Sequence, residues 1–183
     1  EDVWTRNLIN LFAAPLSIHQ YVAGLMLTSL TEAVISFIFL GLVAWLLFAY
    51  NIFQFGFLLL YFLAVLFVFG WALGLLATAI ILRLGPSAEI LAWSIPAFLT
   101  PLSGVFYPIS ALPVWLRPIA SLLPPSQVFE GMRSVILSGA FEGERLLTAL
   151  VTSVLAFLLA YAVLLLSYRA VMRQGLVTRF LTE

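Results

Sequence analysis

The chain has no cysteine, no lysine and a single histidine, His19. Without cysteine there are no disulfides, no thiol catalysis and no cysteine-ligated metal. One histidine and scattered carboxylates argue against a clustered metal site. All eight basic residues are arginine and they balance eight acids, so the net charge of zero gives no argument for nucleic acid. Charged residues make up only 9% of the 183, against about 25% in a soluble domain. No G-x-x-x-x-G-K-[ST] loop is present to cradle ATP phosphates. What the chain has instead is apolar: 64% hydrophobic residues and a mean hydropathy of +1.17. The fold class expected is an all-α integral membrane protein. No cleavable signal pattern follows Glu1, and a preceding N-terminal portion is expected.

Residues 1–14, EDVWTRNLINLFAA, read as an amphipathic helix too short to span. Trp4, Leu8, Leu11 and Phe12 share one face, and Asp2, Arg6, Asn7 and Asn10 take the others. Pro15 stops it, and Ser17 with Gln20 begins a capping box for the next helix. Spans are expected at 18–50, 57–82, 88–106 and 146–167, each reaching or approaching the ~20 residues that cross a bilayer. The second carries Gly70 and Gly74 as G-x-x-x-G, a pattern that lets helix backbones approach closely. Arg83, Gly85 and Pro86 end it, and Ser87 is placed to cap the third helix. Pro96 and Pro101 should free the carbonyls of Ala92 and Ala97, with Ser94, Thr100 and Ser103 available to satisfy them.

Between the third and fourth spans lies SGVFYPISALPVWLRPIASLLPPSQVFEGMRSVIL, with prolines at 108, 113, 118, 124 and 125. It stays apolar but cannot be one helix. Two short helices near 112–123 and 126–137 are expected, forming an outer re-entrant hairpin over 107–138. Such backbone is tolerated in a membrane only where protein or water satisfies its polar groups. With a cytoplasmic N-terminus, the inner side holds Arg6, Arg83, Arg169, Arg173 and Arg179, and the outer side Arg117, Arg133 and Arg145. This bias puts both visible ends in the cytoplasm of a multi-pass protein.

The order of these parts resembles the membrane subunit of type-2 ATP-binding-cassette exporters. Their permeases show a pattern like S-G-x-x-[FY]-P-x-x-x-[LM]-P before the last span, then a proline and an arginine. Ser103, Gly104, Tyr107, Pro108, Leu112, Pro113, Pro124 and Arg133 match it. The helix at 1–14 resembles the family's coupling helix, L-x-x-L-x-x-[ST]-P-[LIV]-[ST]. Leu8, Leu11, Pro15, Leu16 and Ser17 match, while Ala14 replaces the Ser or Thr. The resemblance covers essentially all of 1–183 as one permease domain. Such permeases usually have six spans with the coupling helix after the second, so this chain resembles the C-terminal part of one.

The resemblance implies a bacterial or archaeal plasma-membrane subunit that pairs with a second permease copy. It also implies two separate ATPase subunits that carry ATP and magnesium and press on Trp4, Arg6, Leu8, Leu11, Phe12 and Pro15. It implies no cofactor bound by this chain and no nucleic-acid partner. Export of drugs, lipids or lipid-linked glycans comes with the same resemblance. Two other classes stand beside it: a membrane-embedded enzyme acting on a lipid-linked substrate, which needs an acid–base pair facing one cavity, and a structural or channel subunit, which needs polar rings.

Candidate pathway or gate residues are Glu32, Tyr107, Pro108, Trp115 and Arg133. Glu32 lies ~20 Å along its helix, near mid-membrane, where an ionisable group is by default a functional hypothesis. Its plain alternative is a hydrogen bond to Thr28 or Ser36 that fixes packing. Tyr107, Trp4 and Trp115 also suit a membrane interface. Gly70 and Gly74 read as helix packing. Glu130 and Arg133 read as a solvated pair on a short helix.

Overall fold

In the computed structural model the described residues are 17–49, 56–139 and 141–174. The expected helix at 1–14 and most of the 51–56 connector lie outside them. The described residues are helical, with no strand. The chain divides into two compact units, Glu1–Leu60 and Tyr61–Glu183. Among the described residues three helices are long and apolar enough to cross a membrane.

Helix α1 is Ile18–Phe48. Its start is the expected capping box. The Ser17 side chain accepts from the Gln20 N–H at 3.3 Å, and Gln20 Oε1 accepts from the Ser17 N–H at 2.9 Å. The helix ends at Ala49, whose left-handed backbone (φ 51°) turns its N–H onto Ala44 O. Its 31 residues cover about 46 Å, more than the ~30 Å hydrocarbon core.

Helix α2 is Phe57–Leu84, and it stops where Gly85 (φ 91°) donates to Ile81 O at 2.8 Å. Phe62, Val65, Phe69, Ala72, Ala79 and Leu82 are buried, mostly at three- and four-residue steps that make one stripe. The last long helix in the chain, Gly143–Gln174, buries Leu146, Ala149, Ser153, Ala160, Leu164 and Val171 on a matching stripe. Tyr61 Oη donates to Leu146 O at 2.6 Å, and Ser153 Oγ donates to Val65 O at 3.3 Å. Successive contacts advance along both helices together, so the two run in the same direction. The expected topology requires this of the second and last spans.

The third apolar run departs from its expectation. Helix α3 is only Glu89–Leu99, extended by a 3-10 turn over Thr100–Leu102. These 14 residues reach ~21 Å, well short of the ~30 Å core. Pro96 is accommodated inside the helix, and Pro101 falls where the coil tightens to 3-10. Ser94, Thr100 and Ser103 do not satisfy Ala92 and Ala97. They donate to the carbonyls of Ile90, Pro96 and Thr100, because a short hydroxyl reaches the previous turn of its own helix most easily. Ser87 is no cap either: it sits in a 3-10 turn, Pro86–Ala88, and Ala88 is the N-cap without a side-chain bond. Glu89 stands in the first turn, where a negative charge faces the positive end of the helix dipole.

The proline-rich segment contains a 3-10 turn at Ile109–Ala111, helix α4 at Arg117–Leu122 and helix α5 at Pro124–Ser138. Each of the two α-helices opens with proline in its first turn, where no donor is lost. Gly139 (φ 66°) closes α5 with its N–H on Val135 O. Helix α6 is the Gly143–Gln174 element already described. Gly131 of α5 packs on the starts of α2 and α6: a Cβ there would lie 3.3 Å from Leu146 Cδ2 and 3.6 Å from Phe62 Cε1. At Gly70 and Gly74 an added Cβ would meet nothing within 4 Å. Among these three glycines, the close helix approach is at Gly131.

Candidate functional site: the proline-rich hairpin

The segment from Pro101 to Ser138 is tied together by side chains bonding to backbone, as a proline-broken apolar chain requires. Arg117 donates through Nε to Leu112 O at 2.9 Å and through Nη2 to Ser110 O at 2.8 Å. The Ser126 hydroxyl, fully buried, meets Ala120 O and Leu123 O across the break between α4 and α5. Gln127 donates to Ser121 O across the same break. Tyr107 Oη donates to Pro101 O.

The centre of the site is a carboxylate and a guanidinium one turn apart on α5. Glu130 Oε1 accepts from the Ile109 N–H at 2.9 Å and from Arg133 Nη1. Arg133 Nη2 donates to Gly104 O at 2.9 Å. The two side chains are 26% and 20% exposed for Arg133 and Glu130, so this is not the solvated pair read from the sequence. Together they clamp the 104–109 loop onto α5. The geometry uses the planar fork of arginine, one arm on the carboxylate and one on the carbonyl.

Gly104 makes that carbonyl available by adopting φ 70°, a left-handed conformation that costs other residues about 1–2 kcal/mol. A Cβ there would be in ordinary contact, 3.5 Å from Tyr107 O and 3.6 Å from Ile109 Cγ1, so the barrier to substitution is backbone conformation. Gly104→Ala is expected to lose roughly 1–2 kcal/mol, and Gly104→Asn less, because asparagine tolerates this region better. Thermal unfolding of the detergent-solubilised protein checks the order; equal stability of all three would remove the conformational argument.

The sequence-derived candidates divide as follows. Trp4, Arg6, Leu8, Leu11, Phe12 and Pro15 lie outside the described residues. Tyr107, Pro108 and Arg133 come together in the clamped loop, with Tyr107 half-buried and Pro108 exposed. Trp115 is 70% exposed in the turn before α4. Glu32 is exposed on α1, within the other compact unit. Gly104, Arg117, Glu130 and Gly131 do more for the site than single-residue inspection indicates. The signals that could have found them are the left-handed glycine preceding V-F-Y-P and the E-x-x-R spacing on a helix.

A second polar link closes the far end of α5. Glu142 accepts from Ser134 Oγ at 2.8 Å through Oε1 and pairs with Arg145 Nε at 3.0 Å through Oε2. Around these bonded groups the surface is apolar: Phe106, Val114, Trp115, Leu122 and Leu137 are each at least 70% exposed.

Comparison with known protein families finds a match to the ABC-2 type transporter over residues 2–137, and the chain belongs to that family. Its class is therefore the membrane-embedded transport component of an ATP-binding-cassette system, a permease domain and not itself the catalytic subunit. The family in general works with ATPase partner subunits. Neither the curated proteins nor the solved structures compared with the chain give a match.

Proposed function

We propose that this chain is a permease subunit that, paired with a second copy, exports a hydrophobic, lipid or lipid-linked substrate or a drug. Two separate ATPase subunits drive it, and they carry the ATP and magnesium. The observation that carries the reading is the extent of the family match, which runs from residue 2 through residue 137. It takes in both the amphipathic segment with Trp4, Arg6, Leu8, Leu11 and Phe12 and the proline-rich hairpin up to residue 137. In this reading 1–14 is the coupling helix on the cytoplasmic side, and the hairpin at 107–138 re-enters the outer face of the plasma membrane. The exposed apolar side chains around its internally satisfied backbone support that placement. A stroke at 1–14 moves the bundle only if the two ATPase states contact that helix differently.

Affinity purification from membranes tests the reading. An ATP-binding-cassette ATPase is expected to co-purify with the wild-type subunit. It is expected to fall by at least about tenfold when Leu8→Asp or Leu11→Asp places a charge on the apolar face, a loss equivalent to roughly 1.4 kcal/mol of binding. Absence of any ATPase from the wild-type preparation would overturn the proposal.

A further inference from the structure

The polar residues of α1 are unevenly placed. Apart from His19 and Tyr21 in its first turn, these are Gln20, Thr28, Ser29, Thr31, Glu32 and Ser36, all in its first part, and residues 37–48, FIFLGLVAWLLF, carry no polar side chain but the Trp45 indole. At about 100° per residue these six positions fall within roughly half of the helix circumference. From Gln20 to Ser36 the polar sector runs about 24 Å. It therefore starts at one end of the helix and stops part-way across.

Three of the hydroxyls on this sector are turned inward. Thr28 Oγ1 donates to Gly24 O at 3.0 Å, Ser29 Oγ to Met26 O at 2.9 Å and Thr31 Oγ1 to Leu27 O at 2.8 Å. Each has spent its proton on its own helix, so what the exposed Thr28 and Thr31 present outward is acceptor lone pairs. Glu32, exposed among them, has no hydrogen bond or ion pair among the described residues. The expected bond from Thr28 to Glu32 is not made. All eight arginines lie outside the expected spans. A second copy of this chain would add only the same arginines at the same depths. A carboxyl at this depth therefore needs water or an outside donor.

We propose that the N-terminal half of α1 lines a water-accessible vestibule, closed beyond Ser36, whose acceptor-rich wall and Glu32 receive the cationic or donor-bearing head group of an amphipathic substrate. This rests on the transport reading above and gives that reading a substrate class.

The absence of cysteine from the chain makes the test direct, with the cysteine-free parent as background. Single variants Thr28→Cys, Thr31→Cys and Ser36→Cys sample the polar sector. Leu30→Cys and Val34→Cys sample the opposite face at the same depth, and Leu42→Cys and Leu46→Cys lie beyond the closed end. Each is treated in membrane vesicles with methanethiosulfonates carrying either a trimethylammonium or a sulfonate group. The polar-sector cysteines are expected to react at least about tenfold faster than both control sets. They should prefer the trimethylammonium reagent by a further several-fold, a preference that Glu32→Gln removes. Rates are read on the membrane-inserted chain, so a variant that has lost transport still reports.

Even reaction on both faces, or none on the polar sector, would overturn the vestibule. A charge preference that survives Glu32→Gln would overturn the role given to the carboxylate. Co-purification of the ATPase from the same vesicles scores the transport reading separately. If the ATPase is present without the labelling pattern, the vestibule alone fails; if the pattern is present without an ATPase, the transport reading fails.

Discussion

Arg133→Ala is expected to free the 104–109 loop from α5 and to destabilise the hairpin by about 1–3 kcal/mol, with transport reduced alongside. The substitution removes the donor to Gly104 O and leaves Glu130 with the Ile109 N–H as its remaining partner. Both groups are largely sheltered, so water replaces the lost bonds incompletely. Arg133→Lys should rescue poorly, because one ammonium cannot reproduce a fork that reaches a carboxylate and a carbonyl at once. On the carboxylate side, Glu130→Gln keeps an acceptor for Ile109 and should be milder than Glu130→Ala. Limited proteolysis at the loop and thermal unfolding read the structural effect, and transport in vesicles reads the functional one. A wild-type protease pattern and Tm for Arg133→Ala would show that the clamp does not hold the loop.

Gly131→Leu is the second large effect. The position has no room: the first added carbon already lies 3.3 Å from Leu146 Cδ2 and 3.6 Å from Phe62 Cε1. Alanine requires a small shift of the flexible Leu146 tip, but leucine must push α5 away from the buried starts of α2 and α6. Overpacking of this kind costs about 1–3 kcal/mol. Gly70→Leu, where an added Cβ meets nothing, is the matched control and should change the stability of the solubilised chain little. If the two variants unfold together, the packing assigned to Gly131 is wrong.

The contrast between these glycines marks what local pattern carries. G-x-x-x-G at Gly70 and Gly74 is a spacing, and spacing says which residues share a helix face without saying what faces them. Gly131 belongs to no such pattern, and its importance comes from where α5 lands. The same holds for Glu130 and Arg133. Their spacing places them side by side on a helix, and so they are. Their partners are the Ile109 N–H, 21 residues back from Glu130, and Gly104 O, 29 residues back from Arg133.

Much of the architecture was legible in the sequence. Apolar length located α1, α2 and α6. The box formed by Ser17 and Gln20, the stop at Gly85 and the two short helices of the hairpin came from capping and proline chemistry. The family's order of parts could be read from S-G-V-F-Y-P-I-S-A-L-P together with Pro124 and Arg133. The third run forms a shorter helix than its apolar length indicates, because hydropathy counts apolar residues and is blind to the coil tightening to 3-10 at Thr100.

Residue order alone settles the solvent this protein folds in and the places where most of its helices begin and end, because burial in lipid and capping depend on residues within a turn or two. The loop clamp, the parallel pairing of α2 with α6 and the glycine on which the hairpin seats emerge only in three dimensions. They depend on backbone groups brought together from distant parts of the chain, whose positions no local pattern specifies.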